Sequence, residues 1–217
     1  MVNWILNSCF AAQGQVFTYQ FDGSSLNLIL TLDGPVPGDR FGAALAMTSD
    51  GNRLLVGAPG STRASAGAVY YYEWSGTQWD LILPVPGTAT ENLGTTVAIL
   101  TDDGETIAFG APNFGSNRGA IRVYRRLAGS VFQKVGADIE GNPGDFLGST
   151  LAGSNGGILA GTATGSFRAY EFDTRQNEWA TVGSADPSLG SRIVSIASNI
   201  NGDIGIGIDE SVVVYGI

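Results

Sequence analysis

The chain has 217 residues, 43% of them hydrophobic, enough for one large all-β domain or two small ones without disulfide support. Gly accounts for 32 residues, about twice the usual ~7%, and charged residues for only 14% against a typical ~25%, which points to many turns and much buried strand. A net charge of −9 argues against a nucleic-acid partner, no apolar run approaches the ~18 residues a membrane helix needs, and the absence of His excludes a Ser-His-Asp triad, a His base and His metal ligands.

The opening segment, "MVNWILNSCFAAQG", has a faint look of an export signal ending in Phe10-Ala11-Ala12. It lacks a basic n-region, and Asn7 and Ser8 interrupt its short apolar run, so a strand is the better expectation. Cys9 is the one cysteine, so no intrachain disulfide forms; beside Phe10 it reads as packing. No Asn-x-Ser/Thr acceptor for N-glycans occurs.

Beyond this start the chain repeats itself. "GQVFTYQ", "GAVYYYE", "GAIRVYR" and "GSFRAYE" each place a tyrosine five residues after a glycine: Tyr19, Tyr72, Tyr124 and Tyr170. A last copy, "ESVVVYG", puts Tyr215 five after Glu210, and the tyrosines recur at intervals of 45 to 53 residues. The run before each also recurs: "LLVGAP" at Leu54–Pro59 and "IAFGAP" at Ile107–Pro112, fading to "ILAGTA" and "IGIGID". Upstream stand "RFGAALAMTSDG", "NLGTTVAILTDDG", "FLGSTLAGSNGG" and "LGSRIVSIASNINGD". Downstream come "LNLILTLDG", "QWDLILPVPG", "VFQKVGADIEG" and "EWATVGSAD". Each full unit therefore predicts four strands of about five residues separated by Gly, Asn, Asp or Pro, with no helical window.

On the third strand of the unit, Val69 and Tyr71 occupy one face and Tyr70 and Tyr72 the other. Such a strand is buried on both sides, as in sheets stacked radially about an axis: an all-β propeller with blades at about 1–37, 38–87, 88–141, 142–186 and 187–217, forming a single domain. The first unit lacks strand one and the last lacks strand four. Two arrangements fit: a five-bladed ring with trimmed end blades, or an open arc completed by another chain.

Phe41-Gly42 followed by Gly57-Ala58-Pro59 resembles the FG-GAP repeat of integrin α-subunit-like propellers. Leu93-Gly94 with Gly110-Ala111-Pro112 is a second copy, Leu147-Gly148 with Gly161 a weaker third, and Leu189-Gly190 the remnant of a fourth. The resemblance implies one blade per copy, with strand one starting at Phe-Gly and strand two ending at Gly-Ala-Pro. It also implies a cell-surface, secreted or virion-associated protein whose ligand surface is the end carrying the loops between strands two and three. Those loops are "GSTRASA" and "NFGSNR", joined by the strand-four-to-one loops "GPVPGDR", "PVPGTATEN" and "GNPGD". Arg40, Arg63, Phe114 and Arg118 are the candidate ligand-binding residues there, since length variation among regular units marks binding loops.

Members of that family often hold Ca²⁺ in the strand-one-to-two loop through alternate carboxylates. The nearest counterpart here is Asp102, Asp103 and Glu105 around Gly104; adjacent acids point apart and chelate poorly, so a hairpin turn is expected and no cofactor. The basic cluster of Arg118, Arg122, Arg125 and Arg126 is offered a structural reading. Arg122 and Arg168, three residues after the repeat glycine, are expected to reach an acid or a carbonyl across the blade interface. The functional expectation is a non-enzymatic protein-binding, adhesion or assembly module that engages a protein partner or its own copies. A lectin-like propeller using Trp74, Trp79 and Trp179 is the alternative, and a two-carboxylate glycosidase the third reading.

Overall fold

The computed structural model describes residues 2–8, 14–60, 65–88, 90–154, 156–185, 193–198, 204–208 and 211–215. It is all-β, and each sheet is antiparallel. The chain divides into two compact units, Met1–Val97 and Ala98–Ile217.

The first unit holds two sheets. One is β1 (Val2–Ser8), β2 (Gln15–Phe21) and β3 (Leu26–Asp33), in that order. The other is β4 (Ala44–Met47), β5 (Arg53–Ala58), β6 (Ala68–Trp74) and β7 (Trp79–Pro86). The second unit begins within β8 (Val97–Ile99), which continues to β9 (Thr106–Ala111), β10 (Ala120–Arg126), β11 (Phe132–Lys134) and β12 (Ile139–Glu140) in a third sheet. A fourth sheet is β13 (Thr150–Ser154), β14 (Gly157–Gly161), β15 (Phe167–Asp173) and β16 (Glu178–Ala185). The fifth is β17 (Ile193–Ser198), β18 (Ile204–Ile208) and β19 (Ser211–Tyr215).

The meander order follows from the turn chemistry. At the β4–β5 turn Asp50 Oδ1 accepts from Thr48 Oγ1 at 2.5 Å and from the Asn52 N–H at 3.0 Å, while Gly51 takes a positive φ of 72°. The β8–β9 turn repeats the device: Asp103 Oδ1 accepts from Thr101 Oγ1 at 2.6 Å and from the Glu105 N–H at 2.9 Å. An Asp that bonds its own backbone two residues on, followed by Gly in the left-handed region, sends the chain straight back.

The tyrosine strand β6 is buried on both faces, with Val69, Tyr70, Tyr71 and Tyr72 all at 8% exposure or less. One face joins Leu54, Val56, Tyr70, Tyr72 and Trp79 to Val16 of the first sheet, with Leu30 and Leu32 packed alongside. In the second unit Ile121 and Val123 of β10 pack against Ile158, Ala160 and Tyr170 of the fourth sheet. Phe167 then packs with Ile193 and Ile206 of the fifth. Neighbouring sheets within each unit thus meet face to face, and each such Leu, Ile, Val or Phe contributes roughly 1.5–3 kcal/mol by leaving water.

The Phe-Gly and Gly-Ala-Pro signatures have a common physical cause. The glycine that opens each of the first three tyrosine strands lies against the backbone of the apolar residue that opens the next repeat. Gly14 abuts Phe41, Gly67 abuts Leu93 and Gly119 abuts Leu147, with φ of 75°, 77° and 76°, and a Cβ on any of them would overlap the neighbour's N and O. Gly67 and Gly119 make bridge pairs with those residues. Gly57 of the first Gly-Ala-Pro likewise faces the carbonyl of Gly94, and Gly148 faces Gly110 and Ala111. The conserved spelling of the repeat therefore marks where one sheet's backbone touches the next without side chains between.

One expected strand is broken. The fourth run of the third repeat is β11 and β12, both paired to β10, with Gly136 at φ 73° between them. The break leaves the Val135 carbonyl to accept from Trp179 Nε1 at 2.9 Å, and Gly136 lies under the rings of Phe172 and Trp179.

Candidate functional site at the loop end

In each unit the strand-two-to-three and strand-four-to-one loops share one end of their sheets and are stitched together through backbone. In the first unit the Gly60 N–H donates to Asp39 O at 2.7 Å, Leu93 N–H to Ala66 O at 2.9 Å, and Asn92 Nδ2 to Pro59 O at 2.7 Å. In the second, Phe146 N–H donates to Asn117 O and Leu147 N–H to Arg118 O, both at 3.0 Å, and Ala163 N–H to Asp145 O at 2.9 Å.

An acid stands two residues before three of the opening apolar residues, Phe41, Leu93 and Leu147, a pattern the sequence expectations do not include. Asp39 Oδ1 accepts from the Phe41 N–H at 2.9 Å. Glu91 accepts from the Thr88 N–H at 2.7 Å and from Thr88 Oγ1 at 2.9 Å. Asp145 Oδ2 accepts from the Asn142 N–H at 2.9 Å and from Arg168 Nη2 at 3.1 Å. Between acid and apolar residue the chain turns left-handed at Arg40 (φ 58°), Asn92 (52°) and Phe146 (49°). Burial pushes the Asp39 carboxyl above its ordinary pKa, only partly offset by the Phe41 N–H. The recurrence of Asp39, Glu91 and Asp145 in register was the signal available to find these latches.

Of the residues expected to bind ligand, Arg40 is exposed on this end of the first unit. Arg63 lies outside the described residues. Phe114 and Arg118 are brought together in the second unit by a turn in which Gly115, Ser116 and Asn117 take φ of 59°, 61° and 69°. The turn closes with the Gly119 N–H donating to Phe114 O at 3.0 Å. Phe114 is half-buried rather than bare, because the Arg122 guanidinium sits 5.6 Å over its ring centroid. Arg122 in turn bonds Asp138 at 3.0 Å, and Lys134 also pairs with Asp138.

Arg118 projects from the end of the turn, its side chain 46% exposed, with Nη1 3.5 Å from Glu140 and Nε donating to Gly141 O at 3.2 Å. An ion pair this exposed contributes at most about 1 kcal/mol and gives way readily to another anion. Arg126, a third member, lies 3.8 Å from Glu105 and donates to Gly129 O at 2.6 Å. The basic cluster is therefore largely neutralised by neighbours. Arg122 and Arg168 do reach acids, but Asp138 and Asp145 lie within their own repeats rather than across an interface.

The calcium candidate sits at the opposite ends of its strands, in the β8–β9 turn. Asp103 is engaged in its own turn and Glu105 faces Arg126, so the three acids do not converge. Among the described residues no group of three or more His, Cys, Asp or Glu is placed to hold a metal ion. Two tryptophans of the lectin reading, Trp79 and Trp179, are tied to neighbouring elements, and Trp74 is half-buried. Trp79 is 8% exposed and donates to Thr18 Oγ1 of the first sheet at 3.4 Å; Trp179 donates to Val135 O. No family model matches the chain.

Proposed function

We propose that this chain is a non-enzymatic binding or assembly module of β-propeller type, its sheets acting as successive blades and its loop end engaging another protein or further copies of itself. The resemblance to FG-GAP propellers supports the architecture, as does the repeated glycine-to-backbone contact between neighbouring sheets within each unit. The observation that carries the binding reading is the left-handed turn that displays Arg118. Two of its three positive-φ residues, Ser116 and Asn117, are not glycine, and the serine costs about 1–2 kcal/mol in that conformation, asparagine less. Strain of this kind persists where surroundings fix it and a function uses it. Here it presents a guanidinium whose Nε is held by the Gly141 carbonyl and whose ionic partner, Glu140, is weak and solvent-screened.

Sedimentation velocity of the full chain across a wide concentration range tests the self-assembly form. Association weakened at least about tenfold (about 1.4 kcal/mol) by Arg118→Glu, at unchanged melting temperature, is expected. Association insensitive to Arg118→Glu and to Phe114→Ala would move the contact away from this end, and a monomer throughout would remove self-assembly.

A further inference from the structure

The first unit contains a second, separate feature, at the hairpin ends away from the latches. A cleft of about 250 Å³ opens between the first two sheets. Its inner wall is aromatic: the Trp74 and Trp79 rings lie 5.3 Å apart at 58°, Trp79 buried and Trp74 half-buried. Ile29, 37% exposed, forms the opposite lip, and Gly76 leaves the mouth clear, with nothing within 4 Å of where its Cβ would stand.

The polar groups at the margin are specific. Asp50 Oδ1 is filled by Thr48 Oγ1 and the Asn52 N–H, whereas Oδ2 takes one bond, from Asn52 Nδ2 at 3.0 Å. A carboxylate oxygen accepts two, and an Asn amide offers a second N–H and its own oxygen. Asp50 and Asn52, both exposed, thus hold one carboxylate acceptor, one amide donor and one amide acceptor side by side. Hydrogen bonds from Thr48 and Asn52 hold the Asp50 carboxyl below its ordinary pKa, so it is ionised at neutral pH.

We infer that this cleft is a binding site for a neutral sugar ring, its C–H face on Trp74 and a vicinal hydroxyl pair on Asp50 and Asn52. A half-buried indole lining a cleft suits a flat apolar C–H surface, and two neighbouring hydroxyls each donate and accept, matching the mixed set at the margin. The volume fits one ring rather than an oligomer, since sites for drug-sized ligands begin near 300 Å³. Asp50 and the absence of Lys or Arg among the described lining residues disfavour uronates, sialosides and phosphates. A cationic ammonium would also be drawn to Trp74 and Asp50, but Trp79 is buried with its N–H committed to Thr18, which leaves Trp74 as the half-buried aromatic of the described lining where a cage needs several.

The test is tryptophan-fluorescence titration of the full chain with glucose, galactose, mannose and N-acetylglucosamine, alongside glucuronate and choline. Saturable quenching by at least one neutral sugar is expected, with little response to glucuronate. Ile29→Arg, which fills the cleft from its exposed lip, and Asn52→Ala are each expected to weaken binding at least about tenfold (about 1.4 kcal/mol) with the melting temperature held. Arg118→Glu should leave it unchanged, which separates this site from the loop end. Saturation by choline alone overturns the inference in favour of a cation site. So does an absence of saturation up to about 50 mM of every sugar, or sugar binding indifferent to both cleft variants.

Discussion

At the scale of single residues, the repeat is written mainly in glycine, and only some of those glycines are irreplaceable. Gly119 and Gly129 have nearly the same backbone, φ 76° and 78°, yet different surroundings. A Cβ on Gly119 would overlap Leu147 N and O, whereas one on Gly129 would meet nothing within 4 Å. Gly129→Ala should therefore lose only the left-handed penalty of about 1–2 kcal/mol. Gly119→Ala must also push two backbones apart and is expected to cost several kcal/mol, about 3 or more. Urea unfolding of both variants checks this, and equal losses would mean that the close approach carries no energy. Gly119 was legible in the sequence as the repeat glycine five residues before Tyr124; the close approach to Leu147 that makes it irreplaceable was not. Phe114 was less legible: its half-burial depends on Arg122, eight residues away and on another element.

At the scale of elements, the ion pairs divide by exposure. Asp145 and Arg168 are 9% and 24% exposed as side chains, and Asp145 also accepts from the Asn142 N–H. Arg118 and Glu140 are 46% and 42% exposed. A double-mutant cycle built on Asp145→Asn and Arg168→Met is expected to give a coupling of about 1–3 kcal/mol, between the ranges for surface and buried pairs. The same cycle on Arg118→Met and Glu140→Gln should give at most about 0.5 kcal/mol. Reversal of that order would show that the Asp145 latch does not hold its loop. The strands themselves were readable from glycine-bounded apolar runs, and the double burial of β6 from tyrosines on both faces. The break between β11 and β12 was not, since the residue that uses it, Trp179, comes from the next repeat. The partners of Arg122 and Arg168 were half legible: an acid or a carbonyl across the interface was expected, and the acid each one meets lies in its own repeat. Trp74 and Trp79 were singled out in the sequence, but the cleft they line was not, because its two walls belong to sheets whose packing no local pattern encodes.

At the scale of the whole molecule, the chain carries a net charge of −9 but buries tyrosines that ionise only at high pH. Desolvation pushes the Tyr72 phenol up to about 12, reinforced by Tyr70 and Asp39. Tyr70 and Tyr170 are raised as well, also chiefly by burial. Each unit thus contains at least one phenol that must stay neutral while folded. In the unfolded chain those phenols titrate near 10, so above that pH the unfolded state binds fewer protons than the folded one. Stability then falls with rising pH, by up to about 1.4 kcal/mol per pH unit for each such group. The contribution is complete below about 10 and is lost as the pH climbs through about 12. Added negative charge on an already acidic chain acts in the same direction. Circular dichroism and tyrosinate absorbance followed together should show a cooperative alkaline transition in which the last phenols ionise as the sheets are lost. Tyr72→Phe keeps the ring and removes the titrating group, and is expected to move that transition to higher pH. A transition unmoved by Tyr72→Phe, or phenols that all titrate near 10 with the sheets intact, would place Tyr72 in water rather than between two sheets.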